Sequence, residues 1–419
     1  MLILALRNLN VLSTAALSKQ RLHQFCVALL VVLCVSCATG PDPSGLPGRL
    51  LQQTDFTYAG GFILPADTFG SSSTNWSQGI IEVSDGSLFI MGNEQEDAIA
   101  QFRLPDVETT ISSATLTAAR PPIQVFSDVF TRLSSNPDNL DQVLGLEMQD
   151  DRLVVNAIEY YDAPADNRLT TLVINDSDNL AGTSVSGPYA MRGRARVAGW
   201  LSEVPAEWQA ALGCTHISGA SSGHPIIARL SVGPSAFCVN LSDLITEPDN
   251  KTVDTRELLG YSLQFPLHRD LLNESGSNDV WTHISQATFG FIVPGTSTYA
   301  TFGNSGGHAG GVGYKLERAN GIACPGYCAQ SPADQTSFYW LWDVRELLNV
   351  VNSRKAPSQV KPYAWGEWKL PFDVPDNARL GGASYDATTG VLYLTLLNVY
   401  SSLQPGKNPP IVLKYRIAS

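Results

Sequence analysis

Five segments of this chain repeat the same order of features, and that repetition constrains the fold more strongly than any other property of the sequence. Each segment has an aromatic or apolar stretch, a polar loop, an apolar stretch with many small residues, and two further stretches rich in β-formers. Turn sequences such as "SDG" (84–86) and "DATTG" (386–390) stand where neighbouring strands would reverse. The segments lie at residues 58–106, 123–176, 196–244, 260–347 and 363–417. Repeats of this length without a helical pattern predict an all-β fold, a five-bladed β-propeller with four-stranded antiparallel blades.

The strand order within the repeats also predicts how the ring closes. If each segment begins with the outermost strand of the preceding blade, "YAGGFILP" (58–65) must complete the blade that ends with "PIVLKYRI" (410–417). Such pairing removes an open sheet edge. We therefore expect residues 54–419 to form one domain whose N- and C-terminal strands share a blade.

Composition and charge narrow the range of partners. Charged residues make up 16% of the 419 residues, beside 35 Gly and 25 Pro, which suits short strands and turns. A net charge of −12 without a basic stripe argues against nucleic-acid binding. We expect a monomer that binds a glycan or a small polar ligand and contacts a membrane only through a lipid anchor.

The first 53 residues have the pattern of an export signal and a tether. Lys19 and Arg21 precede an apolar run at 25–35, which is too short for a comfortable membrane span. "LCVSCATG" (33–40) is similar to a bacterial lipobox ending at Cys37, with cleavage after Ala38 as the alternative. We expect a signal peptide at 1–37, a tether at 38–53, and an exported protein that is an outer-membrane lipoprotein or is periplasmic or extracellular.

Four cysteines follow the leader, an even number in an oxidising compartment. Of the three pairings, Cys214–Cys238 and Cys324–Cys328 are favoured, because "CPGYC" closes a tight loop through a Pro-Gly turn. A metal site is the alternative, but neither a second CxxC nor paired histidines accompany these cysteines. We therefore expect no metal bound by cysteine.

A four-residue echo suggests where two histidines lie. "CTHISG" (214–219) and "WTHISQ" (281–286) fall at similar places in consecutive repeats, each near the start of the expected innermost strand. Equivalent positions in a propeller share a ring around the channel. The echo therefore predicts that His216 and His283 are neighbours; shared duplication history and ordinary core packing are the alternatives.

The loops that enter the innermost strands, and those that join second to third strands, should share one rim. This rim includes a Gly-rich insertion at 303–336, which carries His308, Tyr314 and Lys315. Insertions of this length are usually functional or disordered. The insertion is therefore either a flap over a ligand or a structural loop held by its disulfide.

Three function classes remain open for that rim. A polysaccharide lyase would use histidine and tyrosine with a cation that neutralises a uronate, a glycoside hydrolase would use paired carboxylates, and a binding or scaffolding propeller would use neither. A structural Ca²⁺ in the central channel is a further option, although no calcium-loop pattern is present. The candidate catalytic residues are His216, His283, His308, Tyr160, Glu159 and Asp279, and the candidate ligand-binding residues are Trp76, Asn93, Glu94, Arg229, Trp281, Asn304, Tyr314 and Lys315.

Over residues 54–418 the chain resembles secreted bacterial propeller proteins without an assigned activity, most clearly in "GGASYDATTGVLYL" (381–394) and "PIVLKYRI". It is similar to five-bladed arabinanases and fructosidases in blade count only. The resemblance implies a fold and an exported location; it does not imply an activity.

Overall fold

A computed structural model of the chain describes residues 45–418 except 108–111, 222–230, 247–250, 319–320, 322 and 403. The main strands form five antiparallel sheets, each ordered outwards from a central channel as the chain runs. This arrangement confirms the predicted five-bladed propeller. The predicted signal peptide with Cys37, and the candidate ligand-binding residue Arg229, lie outside the described residues.

Each blade has four main strands, which are numbered in chain order and run from the channel outwards. Blade 1 contains β4 (Ile81–Ser84), β5 (Ser87–Met91), β6 (Ala98–Arg103) and β8 (Gln124–Asp128). Blade 2 contains β9 (Gln142–Gln149), β10 (Arg152–Ile158), β11 (Leu169–Ile174) and β12 (Val185–Met191). Blade 3 contains β13 (Leu201–Glu203), β14 (His216–Ser221), β15 (Pro234–Val239) and β17 (Arg256–Leu259). Blade 4 contains β18 (Gln286–Ile292), β19 (Thr298–Gly306), β22 (Gln335–Asp343) and β23 (Ala364–Glu367). Blade 5 contains β24 (Arg379–Asp386), β25 (Val391–Leu397), β26 (Ile411–Ile417) and β1 (Phe56–Ile63).

The remaining elements are short and lie at the edges of the blades. The short strands are β2 (Thr68–Phe69), β3 (Ser72–Ser73), β7 (Thr117–Ala118), β16 (Thr252–Val253), β20 (Val312–Tyr314) and β21 (Tyr327–Ala329). The α-helices of the described residues are α1 (Ala206–Leu212), α2 (Leu241–Thr246) and α3 (Val344–Val351). In this part of the chain, no helix has the length and apolar character needed to cross a bilayer.

The ring closes as the sequence predicts. Strand β1 pairs antiparallel with β26, in a register that joins Phe56 to Ile417 and Ile63 to Ile411. The first and last main strands of the described chain therefore complete one blade, which protects the edge that β26 would otherwise leave open.

The predicted strand order is wrong in the third repeat. We expected the stretch 214–231 to be innermost, whereas β13 is innermost and β14 is the second strand. The small residues of β14 make room for a ring within the blade, because a Cβ on Gly219 would lie 2.4 Å from the Trp200 indole. They do not face the channel as small residues of an innermost strand do. The outermost strand of blade 2 is accordingly β12, where we had expected 196–205.

Glycines let the innermost strands approach each other closely. A Cβ on Gly145 of β9 would lie 2.1 Å from the carbonyl oxygen of Gly199, just before β13, and a Cβ on Gly382 of β24 would lie 2.8 Å from that of Gly79, just before β4. No side chain fits at such separations from backbone atoms. The crowding expected where the blades converge is therefore present.

The packed domain begins earlier than predicted. Leu51 is fully buried, and its N–H donates to Thr298 Oγ1 at 2.9 Å. The N–H of Ser297 donates to the carbonyl oxygen of Arg49 at 2.8 Å. Residues 49–51, which we had assigned to the tether 38–53, therefore pack against blade 4.

The insertion is also shorter than predicted, and both expected disulfides are present. Strands β19 and β22 stay paired as far as Gly306 and Gln335, so the insertion occupies the stretch between these two residues instead of 303–336. It contains the hairpin β20–β21 and the Cys324–Cys328 disulfide. The second disulfide, Cys214–Cys238, joins the turn before β14 to β15.

Candidate active site

The channel has two mouths, because the innermost strands of all blades begin at one end of it and finish at the other. The upper mouth, where they begin, is a cavity of about 580 Å³ whose lining includes Glu94, Asp141, Tyr160, Asn304 and Arg379. The lower mouth, where they finish, is a cavity of about 370 Å³ whose lining includes Glu82, Glu147, Glu203, Phe291 and Tyr385. Both volumes fall in the range of ligand-binding pockets.

The two echoed histidines lie towards opposite ends of the innermost strands, so the prediction that they are neighbours is wrong. His216 begins β14 and pairs with Glu203 at the lower end of β13, and its Nε2 is 3.8 Å from Glu147 Oε1. His283 lies in the turn before β18, which begins at the upper mouth. The same four letters form a strand in one place and a turn in the other, so the echo does not reflect equivalent positions.

Three of the predicted site residues meet in the upper mouth: Glu94, Tyr160 and Asn304. Asn304 is occupied in holding two blades together, since its side chain donates to the Leu380 carbonyl oxygen and accepts from the Leu380 N–H, each at 2.8 Å. The N–H of Tyr160 donates to Asp141 Oδ1 at 2.7 Å, which leaves the Tyr160 ring partly exposed at the cavity.

The upper mouth also has a pair of nearby carboxyls. Burial, helped by the negative charge of Asp141, raises the pKa of Asp97 to about 7, against a hydrogen bond from the Val143 backbone. Asp97 Oδ1 is buried without a hydrogen-bond partner in the described residues. Asp97 stands behind the lining of the cavity, however, and only Asp141 of this pair faces the space.

The two tryptophans proposed to bind ligand differ in exposure. Trp281 is fully buried, with its ring centroid 4.6 Å from that of Trp340. It is a core residue of blade 4, and its assignment to ligand binding is wrong. Trp76 is 49% exposed, but it is absent from the lining of both mouths.

Three further candidate residues do not join a cluster. Asn93 Nδ2 donates to the Asn75 carbonyl oxygen at 3.1 Å, and Asn93 Oδ1 accepts from the Gln95 N–H at 3.0 Å. Glu159 Oε2 accepts from Asn167 Nδ2 at 2.7 Å. Asp279 is exposed ahead of β18 and, like Asn93 and Glu159, it lines neither mouth. The proposed acid–base use of Glu159 and Asp279 therefore has no geometric support.

His283 lies beneath the hairpin of the insertion. Its ring centroid is 4.3 Å from that of Tyr327, which in turn is 5.1 Å from that of Tyr314. Lys315 Nζ lies 5.3 Å from the centroid of the Tyr314 ring. Burial lowers the pKa of His283, and neither ring nitrogen has a hydrogen-bond partner in the described residues. These residues form a hairpin-packing cluster instead of part of a shared site with His216.

His308 is held by three hydrogen bonds. Its Nε2 lies 2.7 Å from Ser305 Oγ, its Nδ1 lies 2.8 Å from the Asn278 carbonyl oxygen, and its N–H donates to Asp334. Ser305 is itself fully buried. His308 is thus held at the base of the insertion and lines neither mouth, so it does not join the other predicted catalytic residues.

The lower mouth brings two buried glutamates together from neighbouring blades. Glu82 on β4 and Glu147 on β9 each stand two residues before the residue that closes their hairpin, Ser84 and Gln149. Ser384 Oγ on β24 donates to Glu82 Oε2 at 2.9 Å, so Glu82 is also tied to blade 5. These two carboxyls are 8% and 9% exposed, and both line the same cavity.

Burial makes these two carboxyls hard to ionise. It raises the pKa of Glu82 to about 8, although hydrogen bonds from Ser384 and from the Met148 and Val83 backbones oppose the shift. It also raises the pKa of Glu147, and the charges of Glu82 and Glu203 add to this effect. Two adjacent buried carboxyls cannot both ionise cheaply, so they titrate as a coupled pair. Burial therefore favours the protonated form of both carboxyls, and ionising one of them makes it harder to ionise the other.

Aromatic rings form the other side of the lower mouth. The Phe291 and Tyr385 rings are stacked with centroids 4.7 Å apart and planes 22° apart, and Phe289 lies 5.7 Å from Phe291. Aromatic faces of this kind bind the C–H face of a sugar ring. Phe289 and Phe291 are buried, so the lower mouth combines the carboxyl pair with one partly exposed ring, that of Tyr385.

Sequence reasoning missed Glu82, Glu147 and Glu203, although a signal was present. "IEVSDG" (81–86) and "LEMQDD" (146–151) place a glutamate three residues before the turn aspartate in consecutive repeats. The alternating pattern of a strand would then put each glutamate on the same face of its innermost strand. We had instead regarded the ends of these strands as structural turns.

The described residues show no assembled metal site. Among them, no three His, Cys, Asp or Glu side chains are grouped so as to hold a metal ion. The channel calcium suggested by the sequence stays a prediction.

Comparisons with known proteins assign neither a family nor an activity. No family model matches the chain, and no curated protein matches it. Similar solved structures do exist, and they include sugar-active enzymes.

One similar structure is a GH43 β-xylosidase/α-arabinofuranosidase from a compost microbial metagenome, solved with xylotriose in a calcium-free form; it has 9% identity and a TM-score of 0.42, covering 86% of this chain and 94% of that one. A mutant α-L-arabinanase from Cellvibrio cellulosa has 10% identity and a TM-score of 0.38, with coverages of 82% and 91%. A GH43_1 enzyme from Xanthomonas citri with bound xylose has 11% identity and a TM-score of 0.40, with coverages of 86% and 90%. At these identities and scores the likeness assigns no activity, so the function has to be argued from the site.

Proposed function

We propose that this protein is a glycoside hydrolase whose active site is the lower mouth, with Glu82 and Glu147 as its pair of catalytic carboxyls. The single observation that supports the proposal most is the meeting of these two side chains, from neighbouring innermost strands, at one cavity. Glycoside hydrolysis commonly needs two carboxyl groups, one protonated and one ionised, on either side of the scissile bond. A coupled pair that has released one of its two protons supplies both forms at once.

The proton balance of the reaction follows from that pair. The protonated carboxyl donates its proton to the leaving oxygen as the bond from the anomeric carbon to that oxygen breaks. The ionised carboxylate either attacks the anomeric carbon or takes a proton from the water that does so. Water finally adds its oxygen to the anomeric carbon, and the pair returns to one shared proton.

The arrangement favours a hydrolase over the lyase that the sequence suggested. A lyase would need a base beside a cation, yet His216 and His283 lie towards opposite ends of the innermost strands, and His308 is held at the base of the insertion. Burial also lowers the pKa of His216 to about 4, so it is neutral at physiological pH. A non-catalytic glycan-binding propeller is the alternative that the following test separates from a hydrolase.

The test compares Glu82→Gln and Glu147→Gln with the wild type on a panel of aryl glycosides and polysaccharides. Each variant should lose about 10²–10⁴-fold in kcat/KM, because each lacks one proton-transfer group. Glu367→Gln, an exposed change on β23 at the outer edge of blade 4, is the matched control and should keep full activity. Hydrolysis that survives in both folded glutamine variants would overturn the proposal, and sugar binding without any hydrolysis by the wild type would favour a binding protein.

Export remains a separate proposal. The leader pattern at 19–40 supports a secreted protein with a lipid at Cys37. Metabolic labelling with a radioactive fatty acid, in the wild type and in Cys37→Ala, tests it: label in both proteins, or in neither, would contradict lipidation at that residue.

A further inference from the structure

We infer that the sugar taken by the lower mouth carries a positively charged amino group, so that the substrate class is an amino-sugar glycan. This inference rests on the proposed function and adds the identity of the ligand to it. It is drawn from the charges, the aromatic wall and one unpartnered hydroxyl of the cavity.

The charges at the lower mouth have one sign. Among the residues that the structure describes, its lining contains carboxyls from several elements and neither lysine nor arginine; the acidic members are Glu82, Asp85, Glu147, Glu203, Glu207 and Asp386. A cavity lined by one sign of charge concentrates ligands of the opposite sign. It would repel a uronate and would attract an ammonium group.

The acidic residues differ in how free they are to meet a ligand. Glu207 Oε1 accepts from the Gly295 N–H at 2.6 Å, and Asp386 Oδ1 accepts from the Thr388 N–H at 2.9 Å. Glu203 and Asp85 are exposed at the rim of the cavity. An ammonium group would therefore be held at the rim by Glu203 or Asp85, while the catalytic pair lies deeper.

The histidine beside the pair does not cancel this field. The Nε2 of His216 lies 3.8 Å from Glu147 Oε1, and its Nδ1 lies 2.9 Å from Thr215 Oγ1. Because burial lowers its pKa to about 4, it contributes no positive charge in the neutral range. The rim carboxylates therefore remain available to bind a cationic ligand.

An independent observation marks the cavity as built for a polar ligand. Ser202, which lines the lower mouth, is only 5% exposed, and its Oγ has no hydrogen-bond partner in the described part of the chain. A buried hydroxyl left unpaired is energetically unfavourable. A ligand hydroxyl in the cavity would pair with it.

The aromatic wall distinguishes an amino sugar from a simple amine or a metal ion. The partly exposed Tyr385 ring, backed by the buried Phe291 ring, offers one flat face to a sugar ring, and aromatic faces also attract an ammonium group. A divalent cation would not stack on the Tyr385 ring. A sugar with one ammonium group would use this ring, the Ser202 hydroxyl and the rim carboxylates together.

The experiment measures binding by calorimetry at pH 6 to the Glu147→Gln variant, so that turnover does not interfere. The ligands are β-1,4-linked trimers of glucosamine, N-acetylglucosamine and glucose. We expect the glucosamine trimer to bind about tenfold or more tightly than both neutral trimers, with an advantage that weakens in high salt.

Added changes at the rim provide the control. Glu203→Gln and Asp85→Asn should each reduce the advantage of the glucosamine trimer by about threefold to tenfold, whereas Glu367→Gln should not change it. Equal or tighter binding of a neutral trimer, displacement of the sugar by calcium chloride at matched ionic strength, or no binding of any trimer would each overturn the inference.

The outcomes also separate this inference from the proposed function. If the glucosamine trimer binds selectively but the wild type hydrolyses no glycan, the hydrolase proposal fails and the inference on ligand class stands. If the wild type hydrolyses neutral glycans through Glu82 and Glu147 without preference for the amino sugar, the hydrolase stands and the inference fails.

Discussion

The two mouths of the channel differ in the residues that line them and in how deeply those residues are buried. The upper mouth is wider and is bordered by loops, and it mixes Glu94 and Asp141 with Arg379. The lower mouth is smaller and is bordered by strand ends, which place Glu82 and Glu147 where they are almost fully buried. A side chain on a strand is held more firmly than one on a loop, and burial moves its pKa further. The comparison indicates that catalytic residues can lie at the lower mouth, although the turns there are shorter.

The largest effect should come from removing both carboxyls of the lower mouth. The double variant Glu82→Gln/Glu147→Gln should lose about 10²–10⁴-fold in kcat/KM, and no more than the worse single variant, because residues that act as one unit are not additive. Steady-state kinetics on the best substrate of the panel checks this. Loss of activity in Asp141→Asn with retained activity in Glu82→Gln would move the site to the upper mouth.

A second effect concerns the pH dependence of activity. The reaction needs one ionised carboxyl in the pair, and burial has raised the pKa of Glu82 to about 8. The acidic limb of the kcat/KM profile should therefore fall near pH 8, with activity declining about tenfold for each pH unit below it. A limb near pH 4–5, as for exposed carboxylates, would show that the pair does not act as we propose.

A third effect concerns the free energy of unfolding, whose pH dependence should differ between Glu82 near the lower mouth and Asp97 near the upper mouth. Glu82 has a folded pKa of about 8 against an ordinary value of 4.5, so between these values the unfolded chain releases a proton that the folded chain keeps. Stability contributed by this group is therefore lost as pH rises from about 4.5 to about 8, by up to a few kcal/mol. For Asp97 the corresponding window runs from 3.8 to about 7.

Urea unfolding of Glu82→Gln and Asp97→Asn between pH 4 and pH 9 measures these windows. Glu82→Gln should flatten the decline between pH 7 and pH 8, and Asp97→Asn should flatten it only below pH 7. Identical profiles for the wild type and Glu82→Gln would mean that Glu82 ionises normally in the folded protein.

The smallest effects should come from the two disulfides. Cys214–Cys238 closes a sequence separation of 24 and Cys324–Cys328 one of 4. Chain-entropy arguments give losses of about 3 kcal/mol and about 2 kcal/mol when each is replaced by paired serines. Thermal unfolding of the two double-serine variants checks the order, and a larger loss for the Cys324–Cys328 pair would contradict it.

The sequence predicted the blades better than it predicted the site. Five repeats, closure by β1 and β26, and both disulfides follow from patterns that extend over whole strands or fixed turns. The third blade was misassigned because β13 is only three residues long, and because small residues in β14 accommodate Trp200 instead of the channel.

The prediction of the site residues failed for a related reason. The shared sequence Thr-His-Ile-Ser does not show whether each copy forms a strand or a turn. Because neighbouring strands are antiparallel, a residue at the start of the second strand lies at the other end of the channel from one at the start of the first. Glu82 and Glu147 look like solvated charges in the sequence, because their burial depends on neighbouring blades such as the one that carries Ser384. Periodicity within one segment cannot reveal a contact between segments.

The most direct test of the central claim is a crystal structure of Glu82→Gln soaked with an oligosaccharide that the wild type hydrolyses. We predict electron density for the sugar in the lower mouth, against the Tyr385 ring, with its glycosidic oxygen within hydrogen-bond reach of Glu147 or of the residue 82 side chain. Density for the sugar at Asp141 and Tyr160 in the upper mouth, with the lower mouth empty, would contradict it.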